Sequence, residues 1–223
     1  MDSIMTQLHN IEKEVKKLKR ESQFCGKVSL VIEADPSYPP VSLQSLIQSL
    51  STNKALNVSI TVHEHSSCGN VSSKNVTSWP RASVSNCSRM ENHLNLTWIW
   101  KPDRRYPIAK FVNQSLGDIR GETTIARLLA RLLESWTDCN LYENFDLCTS
   151  AQIDGWLDLW EECTQSNPSG FVKLINTRLA NASWLAGPPP GTRSLADVFL
   201  SSALTIKGTT PHVKDWLSRC NSA

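Results

Sequence analysis

The spacing of apolar positions changes character several times along the chain. In residues 1–23, Ile4, Leu8, Ile11, Val15 and Leu18 recur at spacings of 4, 3, 4 and 3. That is the a/d seam of a coiled-coil helix. Glu12 stands four residues before Lys16, a favourable pair on a helix face. A helix of barely three heptads is marginal alone and gains most from packing. The segment therefore calls for a partner helix. It carries no aromatic side chain for stacking on bases, which argues against a nucleic-acid arm.

The period then shifts to two. Lys27 to Ala34, KVSLVIEA, is rich in β-branched residues and reads as a strand. A turn follows at DPSYPP (35–40). Leu43, Leu46, Ile47 and Leu50 return to helical spacing, and Asn57 to His63 alternates again. A strand-helix-strand unit of this length predicts parallel pairing. Residues 64–93 are Ser- and Asn-rich and read as a long mobile loop. Leu94 to Lys101 is a further strand, with Ile108 to Val112 as its expected antiparallel partner, because KPDRRYP is too short for a crossover.

From Gly121 the chain reads as helices. The first carries Ile125, Leu128, Leu129 and Leu132 on one stripe, and Arg127, Arg131 and Glu134 opposite. Thr149-Ser-Ala-Gln152 and Ser194-Leu-Ala-Asp197 are capping-box patterns. Phe171 to Leu179 carries Leu174, Ile175 and Leu179 inward, and Pro211 opens a last helix. The order predicts an α/β half followed by an all-helical half. The units are a coiled-coil helix at 1–23, a thioredoxin-like subdomain at 24–118 containing the 64–93 loop, and a helical subdomain at 119–223.

Composition narrows the function classes. The 23 basic and 21 acidic side chains leave a net charge of +2, which predicts no bulk attraction to nucleic acid or membrane. No apolar run approaches the roughly 18 residues of a spanning helix, and the N-terminus has no apolar signal core. Seven Cys and seven Asn-x-Ser/Thr sequons hint at secretion. The Cys count is odd and the spacings form no framework, so a reduced, cytosolic chain is expected, with the nucleus as a second compartment. There is no C-x-x-C redox pair and no phosphate-binding Gly loop. His63, His65 and Cys68 lack further ligands at metal spacing, so no metal is expected. Trp156, Trp160 and Trp216 fall on core stripes, whereas Trp79 and Trp136 are candidate interface anchors.

The stretches GETTIARLLARLL (121–133), LINTRLANASWLAG (174–187) and Ser194 to Ala203 resemble the glutathione transferases. DPSYPPVSLQSL (35–46), TVHEHSS (61–67), LNLTWIWK (94–101), IDGWLDL (153–159) and SWLAG (183–187) add a closer resemblance. It is to the aminoacyl-tRNA synthetase complex-interacting multifunctional protein 2 family, scaffold subunits of the multi-tRNA synthetase complex. Members place a leucine zipper before a glutathione-transferase-like domain.

The resemblance implies a protein-binding role without catalysis or cofactor. The seam Ile4, Leu8, Ile11, Val15 and Leu18 would pair with the arginyl-tRNA synthetase-associated scaffold subunit. Arg127, Arg131 and Glu134 would face out toward glutamyl-prolyl-tRNA synthetase, and aspartyl-tRNA synthetase is a further implied partner. The family extension that captures lysyl-tRNA synthetase precedes the zipper and has no counterpart here, so that partner is not carried over.

The transferase alternative makes its own demands. A Tyr, Ser or Cys must follow the first strand, where Ser37 and Tyr38 stand. A proline must precede the third strand. Glu91-Asn92-His93, before Leu94, offers none. The helix after the fourth strand must hold a carboxylate at its N-terminus, where Glu122-Thr123 is a partial match.

Overall fold

The computed structural model describes residues 26–52, 56–68, 79, 92–102, 104–112, 117–137, 139–166, 168–186, 192–204 and 210–222. The zipper seam and most of the 64–93 stretch lie outside them.

Five strands form one mixed sheet: β1 Lys27–Ala34, β2 Asn57–Glu64, β3 His93–Trp100, β4 Ile108–Phe111 and β5 Ile119–Arg120. Their order is β2-β3-β1-β4-β5. The predicted spans hold to within a residue, but their neighbours differ from expectation. β1 and β2 are both parallel to β3, which inserts between them. β4 runs antiparallel to β1 rather than to β3. The seven-residue link after β3 crosses the end of β1 and returns on its far side. Alternation within a strand identifies its faces and leaves its neighbours open.

One face is apolar throughout. Leu30, Ile32, Leu94, Trp98 and Trp100 are fully buried. Helix α1 (Gln44–Thr52), reached through a single 3-10 turn at Val41–Leu43, and helix α2 (Glu122–Trp136) lie next to this layer. Trp79 is 4% exposed, and its ring lies 4.4 Å from Trp98 and 5.3 Å from Trp100. The expectation of an interface anchor at Trp79 is therefore corrected. This side chain is core, and Trp136 also packs against the core.

The helical half contains α3 (Leu147–Ser166), α4 (Pro168–Leu179), α5 (Leu195–Ala203) and α6 (Pro211–Ser222). α3 starts two residues before the Thr149 pattern. Asp146 caps it, taking the Thr149 N–H at 3.0 Å and its hydroxyl at 2.7 Å. On α4, Phe171, Ile175 and Leu179 are buried at four-residue spacing, and Leu174 is exposed rather than inward. With a mixed sheet layer followed by packed helices, the architecture is α/β plus all-α, as expected.

α5 joins the two halves. It packs against Val41–Leu43, α1 and α2 on one side and α3 and α6 on the other. Its six residues from Leu195 to Leu200 are all buried. Ser194 and Asp197 form the predicted capping box, with the Ser194 N–H reaching the Asp197 carboxylate at 3.0 Å and its hydroxyl at 2.7 Å. The same carboxylate takes the Leu185 N–H at 2.9 Å and the Trp216 indole N–H at 2.8 Å. Asp197→Ala leaves these donors buried without an acceptor. The expected loss is about 3 kcal/mol, or a fall of about 6–12 °C in Tm. Asp197→Asn, which keeps one acceptor oxygen, should lose less. Urea and thermal unfolding check both, and a change within 1 °C for the Ala variant contradicts this role.

Candidate functional site

β5 ends at Arg120 and the chain turns directly into α2 through Gly121, whose φ is +94°. A side chain is strained at that angle, and a Cβ there would lie 3.4 Å from Glu161 Oε1. The turn is tied to the sheet by the Gly121 N–H, which donates to Pro107 O at 3.0 Å. It forms one wall of a cavity of about 300 Å³ lined by Tyr106, Arg120, Gly121, Glu122, Thr124, Trp160 and Glu161.

Two carboxylates meet here. Glu122, in the first turn of α2, accepts a hydrogen bond from the Ser42 hydroxyl. Glu161, from α3, accepts one from the Thr123 hydroxyl. Thr123 is fully buried. Burial pushes the Glu122 carboxyl above its ordinary value, the Ser42 bond opposes this, and the charge of Glu161 adds to the rise. Sequence reading had singled out Glu122 and Thr123. It missed Glu161 and Ser42, which lie 38 and 80 residues from their partners. No periodic signal links positions so far apart.

The transferase requirements can now be placed. Counting back from α2, the hairpin before it is β4–β5, and β4 is directly preceded by Pro107. The residues before Leu94 were the wrong place to look, because β2 adds a strand to the count. Pro107 stands ahead of the strand that runs antiparallel to β1. Ser37 and Tyr38 fare differently. Neither is among the described residues lining the cavity. Tyr38 is 75% exposed, and the Ser37 N–H is taken up in a turn with Asp35 Oδ1 at 2.7 Å.

The described thiols are free, and those of Cys68, Cys139 and Cys220 are poorly suited to attack. Burial raises Cys68 and Cys139 above their ordinary values. Burial, with the nearby Asp197 charge second, pushes Cys220 to about 12, where the thiol stays protonated. His63 and His65 are exposed at the end of β2.

The outward trio on α2 is only partly outward. Glu134 is 4% exposed. Its carboxylate takes the N–H groups of Leu141 at 2.7 Å, Tyr142 at 2.5 Å and Glu143 at 2.8 Å. The expectation that Glu134 faces a partner is corrected. It fixes the loop that carries the chain from α2 to α3. Arg127 bridges Asp154 and Asp158 of α3, each at 2.8 Å. Arg131 pairs with Glu143 at 2.7 Å and lies over the Tyr142 ring. The helical wheel placed these three opposite the apolar stripe, but α3 packs on that side as well. The coiled-coil residues Ile4, Leu8, Ile11, Val15 and Leu18 fall outside the described residues.

A family model described as a thioredoxin-like domain matches residues 27–120, the span from β1 through β5. Among solved structures, the chain is similar to the theta class glutathione S-transferase of the citrus canker pathogen Xanthomonas axonopodis pv. citri, determined with glutathione bound. Identity is 15% and the TM-score 0.47, covering 85% of this chain and 90% of that one. No curated protein matches.

The Glu122 environment makes a pH prediction. A carboxyl whose pKa is raised on folding holds its proton more tightly in the native state. Native stability then falls as pH rises from the ordinary value of 4.5 through the raised one. Glu122→Gln removes that dependence. The variant should match the wild type near pH 4.5 and gain on it progressively as pH rises above that value. Urea unfolding across this range checks it, and a gap that narrows with rising pH contradicts it.

Proposed function

We propose that the chain is a non-catalytic scaffold that holds aminoacyl-tRNA synthetases together and so supports translation. One observation carries the non-catalytic part of this reading. Glu161 delivers the chain's own carboxylate to the first turn of α2, onto the Thr123 hydroxyl. A helix N-terminus with free donors is where this fold would hold the carboxylate of a substrate. Here an internal carboxylate stands beside that turn, and among the described residues that line the cavity neither Ser37 nor Tyr38 appears.

The partner assignments rest on the sequence resemblance. The zipper seam pairs with the arginyl-tRNA synthetase-associated scaffold subunit. The transferase-like body meets glutamyl-prolyl-tRNA synthetase and aspartyl-tRNA synthetase, and the working compartment is the cytosol. With Glu134 committed inside, Arg131, half-exposed beside Glu143, is the part of the α2 trio best placed to reach a partner.

Pro107 before β4 favours the alternative, a working glutathione transferase. The Glu161 carboxylate on the first turn of α2 and the exposed Tyr38 weigh more heavily against it.

Affinity purification of the tagged full chain from its source cell, with mass spectrometry, tests the proposal. Several synthetases should co-purify. The double variant Leu8→Asp, Val15→Asp should shed the zipper partner and keep the others, with the domain still folded. Absence of any synthetase, or thiol conjugation by the purified chain, overturns the reading.

A further inference from the structure

The cavity beside α2 has an inventory that suits a particular ligand chemistry. At about 300 Å³ it lies at the lower end of ligand cavities, large enough for one amino-acid side chain or a small metabolite. Its walls hold two carboxylates, Glu122 and Glu161, close enough for the charge of one to bear on the other. The one cation among its described lining residues, Arg120, has a side chain 71% exposed and pairs with Asp118 at 3.7 Å. The described lining therefore sets two acids against one exposed, already paired base.

A pair of acids on an open surface would only be solvated. Here they share a concavity with two aromatic rings. Trp160 is held by Phe171, ring centroids 5.5 Å apart. Tyr106 already carries a guanidinium on its ring, that of Arg105 at 5.3 Å. Rings beside carboxylates recognise organic cations. A planar guanidinium fits best, because it stacks on an indole while its fork of donors reaches a carboxylate.

We infer that this cavity binds a guanidinium group, taken either from an arginine side chain of a partner protein or from a small free guanidine. The inference rests on the proposed function, since it assumes that Glu161 has turned an anion-holding corner into a cation-holding one. It adds a ligand class to that reading.

Calorimetric titration of the full chain with agmatine, with a short arginine-containing peptide and with its citrulline counterpart tests it. Agmatine and the arginine peptide should bind and the uncharged citrulline peptide should not. Tighter binding of the peptide than of agmatine identifies a protein arginine as the source, and the reverse identifies a small guanidine. Glu161→Gln and Glu122→Gln should each weaken binding about tenfold, as expected for one lost charge-assisted hydrogen bond. Should either variant fold poorly by circular dichroism, Arg120→Glu at the exposed rim provides the check from the other direction, because it should tighten binding. No heat with agmatine or the arginine peptide, equal binding of citrulline, or indifference to these substitutions overturns the inference. If it fails while synthetases still co-purify, the scaffold reading stands. If glutathione displaces agmatine and is turned over, the scaffold reading falls.

Discussion

The carboxylate of Asp197 is the point through which the helical half is assembled. It closes the first turn of α5 and holds the Leu185 backbone ahead of that helix. It also anchors the indole of Trp216 from α6. α5 in turn touches the 3-10 turn at 41–43, α1 and α2. A buried carboxylate is costly unless its oxygens are fully engaged. Here four donors engage them, so the cost becomes a constraint that fixes several segments at once. α5 thus meets α1 and α2, the two helices that lie next to the sheet.

The same device recurs. Asp146 caps α3, Glu134 gathers three N–H groups of the loop leading to it, and Glu161 stands over the start of α2. In each case donors at a helix end or loop are met by an acidic side chain of the same chain. At α2 the Glu161 carboxylate takes the Thr123 hydroxyl in the first turn of the helix, beside the cavity.

Much of the architecture was legible in the sequence because it is local. Strand spans came from alternation, the α2 core stripe from Ile125, Leu128, Leu129 and Leu132, and the α5 start from Ser194 and Asp197. The rest depended on contacts between distant segments. Strand order escaped because β3 enters between two strands that precede it in the chain. The same insertion puts Pro107, rather than the residues before Leu94, ahead of the strand antiparallel to β1. Glu134 looked like a surface residue because its donors lie in a loop that periodicity does not describe. Trp79 looked like an anchor because its neighbours, Trp98 and Trp100, come from a strand some twenty residues later. Glu161 sits on a polar helix face and gains meaning only when α3 is laid against α2.

The central claim is that Glu161 keeps the α2 terminus from serving an external carboxylate. Titration of glutathione, followed at the backbone amides of Gly121 to Thr124 by NMR, tests it in the wild type and in Glu161→Ala. The account predicts unmoved resonances in the wild type and saturable shifts in the variant. Saturable shifts of equal affinity in both proteins would contradict it.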